Sequence, residues 1–483
     1  METMKKEAIV LYPCPYIGHL ISTVELGRLF LTLRPSITIH VLISAPPPTE
    51  GPAAAATTAS FISSVSATDG SSISFHKLPH VALPPGFSVR SAIPEVTKDL
   101  EVLRLDTPNV RSAIESISEG HHIRALVIDL LCPYALPVAR ELSIPCYYNV
   151  SSSISSLAFM VYLDTFDKLY PKSFNDHDRS LIIEVPGIPP MQPLDMPCGI
   201  LDRDDHAYDF FFETTRNFKQ AHGVIVNSFE KCEPRAFRDV VAGICTPSCT
   251  MPPLYCIGPL ITTRDCAHRG PDKKDVPECL KWLDDQPSKS VIFLSFGSSG
   301  VFSKEQLMET AVGLERSGLR FLWVVRNPRD LPDTDLDMLL PDGFLERTKK
   351  RGLVVKSWAP QGAVLNHGSV GGFVTHCGWN SILESITAGV PMITWPLYAE
   401  QRLNRLVLVK ETKVALSMNA SEEGLVTAVE VEARVRELMD SEIGKSVRER
   451  TLMMKAAAEA ALSPNGSSRA ALNQLVDSWN IGS

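Results

Sequence analysis

Histidine is the side chain whose ordinary pKa lies nearest neutrality, which makes it the usual general base. His19 closes the loop Pro13-Cys14-Pro15-Tyr16-Ile17-Gly18-His19, directly after the apolar run Ala8 to Tyr12. Gly18 lets the backbone turn tightly and leaves His19 at the start of a helix. Asp129 ends the run Ala125-Leu126-Val127-Ile128. A carboxylate there is costly unless paired, and an imidazole would suit it, because the pair fixes the tautomer and stabilises the imidazolium. Taken alone, His19 could equally be a packed helix-start residue and Asp129 a turn aspartate.

A third run, His376-Cys377-Gly378-Trp379-Asn380-Ser381-Ile382-Leu383-Glu384, follows the apolar stretch Gly372 to Thr375. Gly378, Asn380 and Ser381 are residues that turn and cap a helix, whose first amides favour an anion such as phosphate. Glu384 shares a face with Asn380 and Ser381 and suits the two hydroxyls of a ribose. An ordinary capped helix is the plain alternative. His376-Cys377 is a poor metal pair, since adjacent residues seldom chelate one ion, and no carboxylate cluster for Mg²⁺ is evident. Helix dipole, hydroxyls and His376 would then carry the phosphate charge. Phe296-Gly297-Ser298-Ser299-Gly300 offers a second amide-rich turn, but it lacks the P-loop spacing, and no G-x-G-x-x-G follows the first strand.

The elements needed to place these residues are strands alternating with helices. Ala8 to Tyr12, Ser36 to Ile43, Ala125 to Ile128 and Val224 to Val226 read as buried strands, with Ile17, Leu20, Ile21 and Val24 on one helical face. Residues 45 to 73 read as a mobile connection carrying one weak helix. Thr262 to Asp275 is polar, like a linker. Beyond it, Val291 to Leu294, Phe321 to Val325, Leu353 to Val355, Gly372 to Val374 and Met392 to Thr394 again alternate with helices. This pattern predicts two α/β domains facing each other, with chemistry in the loops after the strands.

Composition bounds the rest. The 483 residues are too many for one ordinary domain, and 44% apolar with 21% charged is globular. A net charge of −8 argues against a nucleic-acid binder. No run of 18 apolar residues suggests a spanning helix, and Pro13 and Pro15 break the N-terminal run too early for a signal-peptide core. Eleven dispersed cysteines form no C-x-x-C pair; Cys245 and Cys249 lack a second zinc-spaced pair. Reduced, mostly buried thiols and a cytoplasmic location are expected, and the sequons at Asn149, Asn419 and Asn465 read as chance.

The 44 residues from Trp358 to Gln401 begin Trp-Ala-Pro-Gln, pass through His-Cys-Gly-Trp-Asn-Ser and end Tyr-Ala-Glu-Gln. This box resembles the signature of plant secondary-product UDP-dependent glycosyltransferases (family 1). The resemblance runs through His19, Asp129, Ile257-Gly258-Pro259-Leu260, Cys279 to Asp284 and Ser295 to Ser298. It implies a GT-B fold, an α/β architecture of two Rossmann-like domains facing across a cleft. The expected boundaries are 1–255 for an acceptor-binding domain, 256–275 for a linker and 276–455 for a UDP-sugar domain. Residues 456–483 would form a C-terminal helix returning to the first domain and tying the halves together.

The resemblance also implies roles. His19 would be the catalytic base and Asp129 its partner. Trp358 would stack on uracil, and the Ala359 backbone would bond it. Gln361 and Glu384 would hold the ribose, and His376, Asn380, Ser381 and Ser298 the diphosphate. Trp379, Glu400 and Gln401 would contact the sugar, with Ser151 near its outer hydroxyl. A terminal Gln, as at 401, accompanies UDP-glucose in this family, whereas His there goes with galactose. Glucuronate users carry Arg where neutral Trp379 stands. The expected partners are UDP-glucose and a small aromatic acceptor of flavonoid or chalcone type. No metal, cofactor, nucleic acid or membrane insertion is expected, and a monomer is. The acceptor pocket is expected around Pro15, Tyr16, Leu131 and the loops near residues 80 to 95 and 185 to 205. One displacement would give an inverted β-glucoside on oxygen, with transfer to a ring carbon as the alternative. A silent UDP-sugar sensor would have lost the His19–Asp129 pair, and a Rossmann oxidoreductase would show the missing dinucleotide motif.

Overall fold

A computed structural model describes residues 5–45, 51–176, 180–247, 250–261, 276–328, 331, 333–421 and 424–479, without the side chains of 51–54 and 176. The chain divides into two compact units, Met1–His268 with Ala460–Ser483, and Arg269–Glu459. Most of the expected linker and Cys249 lie outside the described residues.

The first unit is built on seven strands: β1 (Lys6–Tyr12), β2 (Thr38–Ile43), β3 (Ile73–Lys77), β4 (His121–Asp129), β5 (Cys146–Val150), β6 (Gly223–Val226) and β7 (Leu254–Cys256). They form one parallel sheet in the order β3-β2-β1-β4-β5-β6-β7. Ala8 to Leu11 are wholly buried, because helices cover both faces of such a sheet. The helix Ile17–Leu33 turns Leu20, Val24 and Phe30 into the core.

Residues 51–69 hold the helix expected within the connection, but it is longer and better packed than a weak helix in a mobile segment. They form a 19-residue helix, Gly51–Asp69, which buries Phe61 and Val65. Alanine has the highest helix propensity, and two apolar residues four apart make one face, so a small-residue run can fold once a sheet receives that face.

The C-terminal helix Ser467–Asp477 belongs to this unit and buries Leu472, Leu475 and Val476 in the same core. Trp479 meets Phe30 edge-on with ring centroids 4.8 Å apart, a geometry worth about 1 kcal/mol beyond its burial. Ser468 Oγ donates to the Gly258 carbonyl at 2.6 Å.

The second unit holds β8 (Val291–Ser295), β9 (Arg320–Val325), β10 (Gly352–Lys356), β11 (Val370–Thr375), β12 (Met392–Thr394) and β13 (Ala415–Ser417). Its parallel order is β10-β9-β8-β11-β12-β13. Strand order therefore reverses between β1 and β4 in one unit and between β8 and β11 in the other. The loops at each reversal leave in opposite directions and open a crevice where ligands of such sheets bind.

Candidate active site

In the first unit the reversal brings His19 and Asp129 together. Tyr12 ends β1 beside Ile128 of β4. The backbone then turns through Pro13 to Tyr16, and Ile17 opens the helix, which puts His19 in its first turn. His19 Nδ1 lies 2.8 Å from Asp129 Oδ2. The other carboxylate oxygen accepts the Leu131 amide at 2.9 Å. The Asp129 side chain is fully enclosed, whereas that of His19 keeps 31% of its surface exposed. An enclosed carboxylate with both oxygens engaged is an immobile partner for a ring that substrate can reach.

Ser151, just past β5, places its hydroxyl 3.0 Å from the same His19 Nδ1. Here, in the first unit, it touches the imidazole. Cys14 is a neighbour that sequence reasoning passed over. Its thiol, wholly buried, lies within 4.8 Å of the ligand atoms of His19 and Asp129. Burial, reinforced by the Asp129 charge, pushes this thiol up to about 12, so it is uncharged at neutral pH. Burial pulls His19 down, but the Asp129 carboxylate, by its charge and its hydrogen bond, outweighs burial and raises the imidazole above its ordinary value.

Around the dyad, Tyr16 donates its phenol to Asp99 Oδ2 at 2.8 Å. Pro15, Tyr16 and Leu131 are part-exposed. The loop near residue 90 is tied to the start of the helix His206–Phe218: Asp205 Oδ2 accepts the Ala92 amide at 2.6 Å, and the Arg90 carbonyl accepts the His206 amide at 3.1 Å.

The second unit gathers its own group. Gln361 Nε2 donates to Ser381 Oγ at 2.8 Å and to Glu384 Oε2 at 2.7 Å. Ser381 and Glu384 lie on the helix Trp379–Ala388, three residues apart. Gly378 is the residue that caps this helix, and as a glycine it supplies no side-chain cap. The expected capping by Asn380 and Ser381 is thus corrected: these residues stand inside the first turn, and the Ser381 hydroxyl serves Gln361 instead.

His376 is buried, with two glycines against the Nε2 edge of its ring. A Cβ at Gly297 would come within 2.6 Å of His376 Nε2, and one at Gly378 within 2.4 Å. Its Nδ1 has no hydrogen-bond partner among the described residues. Burial lowers this imidazole to about 4. Near neutrality the ring of the free protein can offer a hydrogen bond but carries no charge.

Three non-glycine residues here hold left-handed φ: Ser357 at 70°, Cys377 at 68° and Ala399 at 52°. Each directly precedes an expected site residue or its turn: Trp358, Gly378 and Glu400. Such backbone persists where surroundings enforce it. At Cys377 the enforcing group is Asn404, fully buried, whose Nδ2 donates to the Cys377 carbonyl at 3.0 Å. Sequence reasoning missed Asn404, although its spacing four residues after Glu400 on one helix was a usable signal. Gln401 is also buried, and its Oε1 accepts the amides of Leu397 at 2.8 Å and Tyr398 at 3.0 Å. Trp379 and Ala359 are buried, Trp358, Asn380, Glu384 and Glu400 part-exposed, and Ser298 exposed after β8.

Two open parallel sheets, each with polar groups at its reversal point, define the two-Rossmann GT-B class. A family model described as UDP-glucoronosyl and UDP-glucosyl transferase matches residues 218–447. UDP-glycosyltransferase 88B1 of Stevia rebaudiana is 45% identical over 478 residues, covering 99% of each chain. Phloretin 2'-O-glucosyltransferase of Malus domestica is 43% identical over 492 residues, covering 98% of this chain and 99% of its own. A solved structure of Phytolacca americana UGT2, complexed with UDP-2fluoro-glucose and pterostilbene, matches with TM-score 0.85 and 38% identity, covering 98% of this chain and 100% of that one. The chain belongs to the plant UDP-glycosyltransferase family, and it is a UDP-glycosyltransferase. No helix among the described residues is long and apolar enough to cross a membrane.

Proposed function

We propose that this enzyme transfers glucose from UDP-glucose to a hydroxyl of a small phenolic acceptor of flavonoid or chalcone type, with inversion to the β-glucoside. The observation that carries the reading is the 2.8 Å contact between His19 Nδ1 and the enclosed Asp129 carboxylate. That contact fixes the ring so that Nε2 is the atom left for the acceptor. As the acceptor oxygen bonds to the anomeric carbon, its proton passes to His19 Nε2. The bond from that carbon to the β-phosphate oxygen breaks, and its electron pair leaves with UDP. A phenol with a pKa near ~10 is close enough to imidazole for this transfer at neutral pH.

The donor is assigned to the second unit. Trp358 stacks on uracil, a flat face suited to an indole. The Ala359 backbone bonds the base, and Glu384, oriented by Gln361, takes the ribose hydroxyls. Ser298, His376, Asn380 and Ser381 bond the diphosphate, whose charge is met by the dipole at the start of the Trp379–Ala388 helix. Trp379, Glu400 and Gln401 line the sugar. Glucose and a phenolic oxygen are supported by the relative named for O-glucosyl transfer to phloretin and by the neighbour holding UDP-2fluoro-glucose with pterostilbene, both acceptors being phenols. Assignment to the cytoplasm as a monomer acting without a metal completes the reading.

The test is a panel of phenols incubated with UDP-glucose, with UDP release and glucoside formation both measured and the products treated with hot acid. Acid-labile β-glucosides are expected. Products that survive hot acid would overturn transfer to oxygen, and a full rate in His19→Ala would overturn the base.

A further inference from the structure

The groups around the base form a second kind of site. Cys14 Sγ, His19 and Asp129 each present one ligand atom, all within 4.8 Å of one another. Thiolate, imidazole and carboxylate are the three ligand types that zinc takes from proteins, at about 2.0–2.3 Å from the metal. Ligands at such distances stand roughly 3.5 Å apart around a tetrahedral ion. The His19–Asp129 pair at 2.8 Å therefore has to open slightly. Cys14 and Asp129 are buried, Asp129 as the last residue of β4 and Cys14 two residues past the end of the adjacent strand β1. The third, His19, is exposed over part of its ring, which provides the route of entry and leaves a fourth position for water.

We propose that Cys14, His19 and Asp129 bind a soft divalent cation, Zn²⁺ or Cd²⁺, and that this ion switches the enzyme off by occupying its base. The inhibitory part rests on the assignment of His19 as base. The ion bonds to Cys14 Sγ, His19 Nδ1 and an Asp129 oxygen. The thiol gives up its proton to solvent, and the proton of the neutral His19 ring passes from Nδ1 to Nε2 by exchange through solvent, so the ring loses none. Charge balances: the cation adds two positive charges and the departing proton removes one. The outcome is specific, because Nε2 then carries a proton and has no lone pair for the acceptor. The same carboxylate that orients the base in the free enzyme becomes a ligand, so orientation and lone pair are lost together.

Two readouts test this on the full-length protein freed of metal with EDTA. Cd²⁺ is titrated while the ultraviolet thiolate-to-metal charge-transfer absorption is followed, for wild type, Cys14→Ser and Cys14→Ala. One equivalent of the band should be present in wild type and missing from both variants, other cysteines being common to all three. Equal bands in all three proteins would overturn the site, whatever His19 does in catalysis. Glucosyl transfer is then measured against Zn²⁺, each protein referred to its own metal-free rate. The Zn²⁺ concentration giving half-inhibition should rise at least tenfold in Cys14→Ser, and EDTA should restore wild type. Equal sensitivity would overturn the inhibitory role, whereas a full metal-free rate in His19→Ala would remove the base reading and leave the absorption result standing.

Discussion

The Asp129 carboxylate is shared between the side chain of His19 and the backbone of its own turn: Oδ2 meets His19 Nδ1 at 2.8 Å, and Oδ1 accepts the Leu131 amide at 2.9 Å. Asparagine in its place would keep the shape and one acceptor oxygen. If that oxygen stays on the Leu131 amide, the Asn nitrogen faces Nδ1 as a donor, and the ring must hold its proton on Nε2. Asp129→Asn should therefore lower kcat about 100-fold or more. The KM for UDP-glucose should stay within about twofold, since the donor is assigned to residues of the other unit. A steady-state comparison checks it; an unchanged kcat would remove Asp129 from the mechanism.

Gly297 has φ +73°, and a Cβ there would stand 2.6 Å from His376 Nε2. Gly297→Ala meets both penalties at once, left-handed strain and a collision with the buried His376 ring. The expected cost in stability is about 1–3 kcal/mol, together with at least a tenfold weaker binding of UDP. Calorimetry with UDP alone measures the second effect without involving the acceptor. Binding as tight as wild type would show that the His376 ring is free to shift.

Sequence legibility followed chemistry and burial. The continuous apolar runs of β1, β4, β8, β9 and β11 were readable because both faces of a parallel sheet are buried. The strands β3, β5, β7 and β13 were not, since Ile73-Ser-Phe-His-Lys77 and Cys146-Tyr-Tyr-Asn-Val150 mix polar residues into short runs. What made them strands is tertiary: β3, β7 and β13 each pair with one neighbour at a sheet edge, and β5 pairs with β4 and β6 on its two sides. His19 and Asp129 could be named as candidates, but their 110-residue separation is closed only by the reversal of strand order. Glu233 was invisible for the same reason. It is wholly buried, and its carboxylate accepts the amides of Ile154 and Ser155, each at 2.9 Å, at the start of the helix that follows Ser151. Nothing in the sequence near Glu233 announces a helix 79 residues away.

Gln401 carries two duties that substitution can separate. Its Oε1 ties down the amides of Leu397 and Tyr398, and its Nε2 is assigned to the sugar. Gln401→Glu keeps the oxygen that serves the backbone and replaces the donor with an acceptor. The melting temperature should move little, while kcat/KM for UDP-glucose should fall about tenfold, equivalent to one hydrogen bond of ~1.4 kcal/mol. Gln401→His should lose both functions. Unchanged kinetics with UDP-glucose in either variant would remove Gln401 from donor recognition.

Acid should weaken both units through buried, uncharged histidines. Burial, with the charges of His121 and His76 adding to it, lowers His40 from 6.5 to about 4 in the first unit. Burial alone does the same to His376 in the second. Each contributes stability that is fully present above pH 6.5, where folded and unfolded imidazoles are both neutral. As pH falls from 6.5 the unfolded imidazole takes a proton that the folded one refuses, so stability drops until about pH 4, where the folded ring also protonates and the loss levels off. Each histidine accounts for up to about 3 kcal/mol over that window. Urea unfolding at pH 7.5 and pH 4.5 should show the loss, and His40→Asn and His376→Asn should each reduce the difference between the two pH values. Carboxylates also titrate in this range, but they are common to all three proteins. A pH difference identical in wild type and both variants would mean that neither ring resists protonation in the folded state.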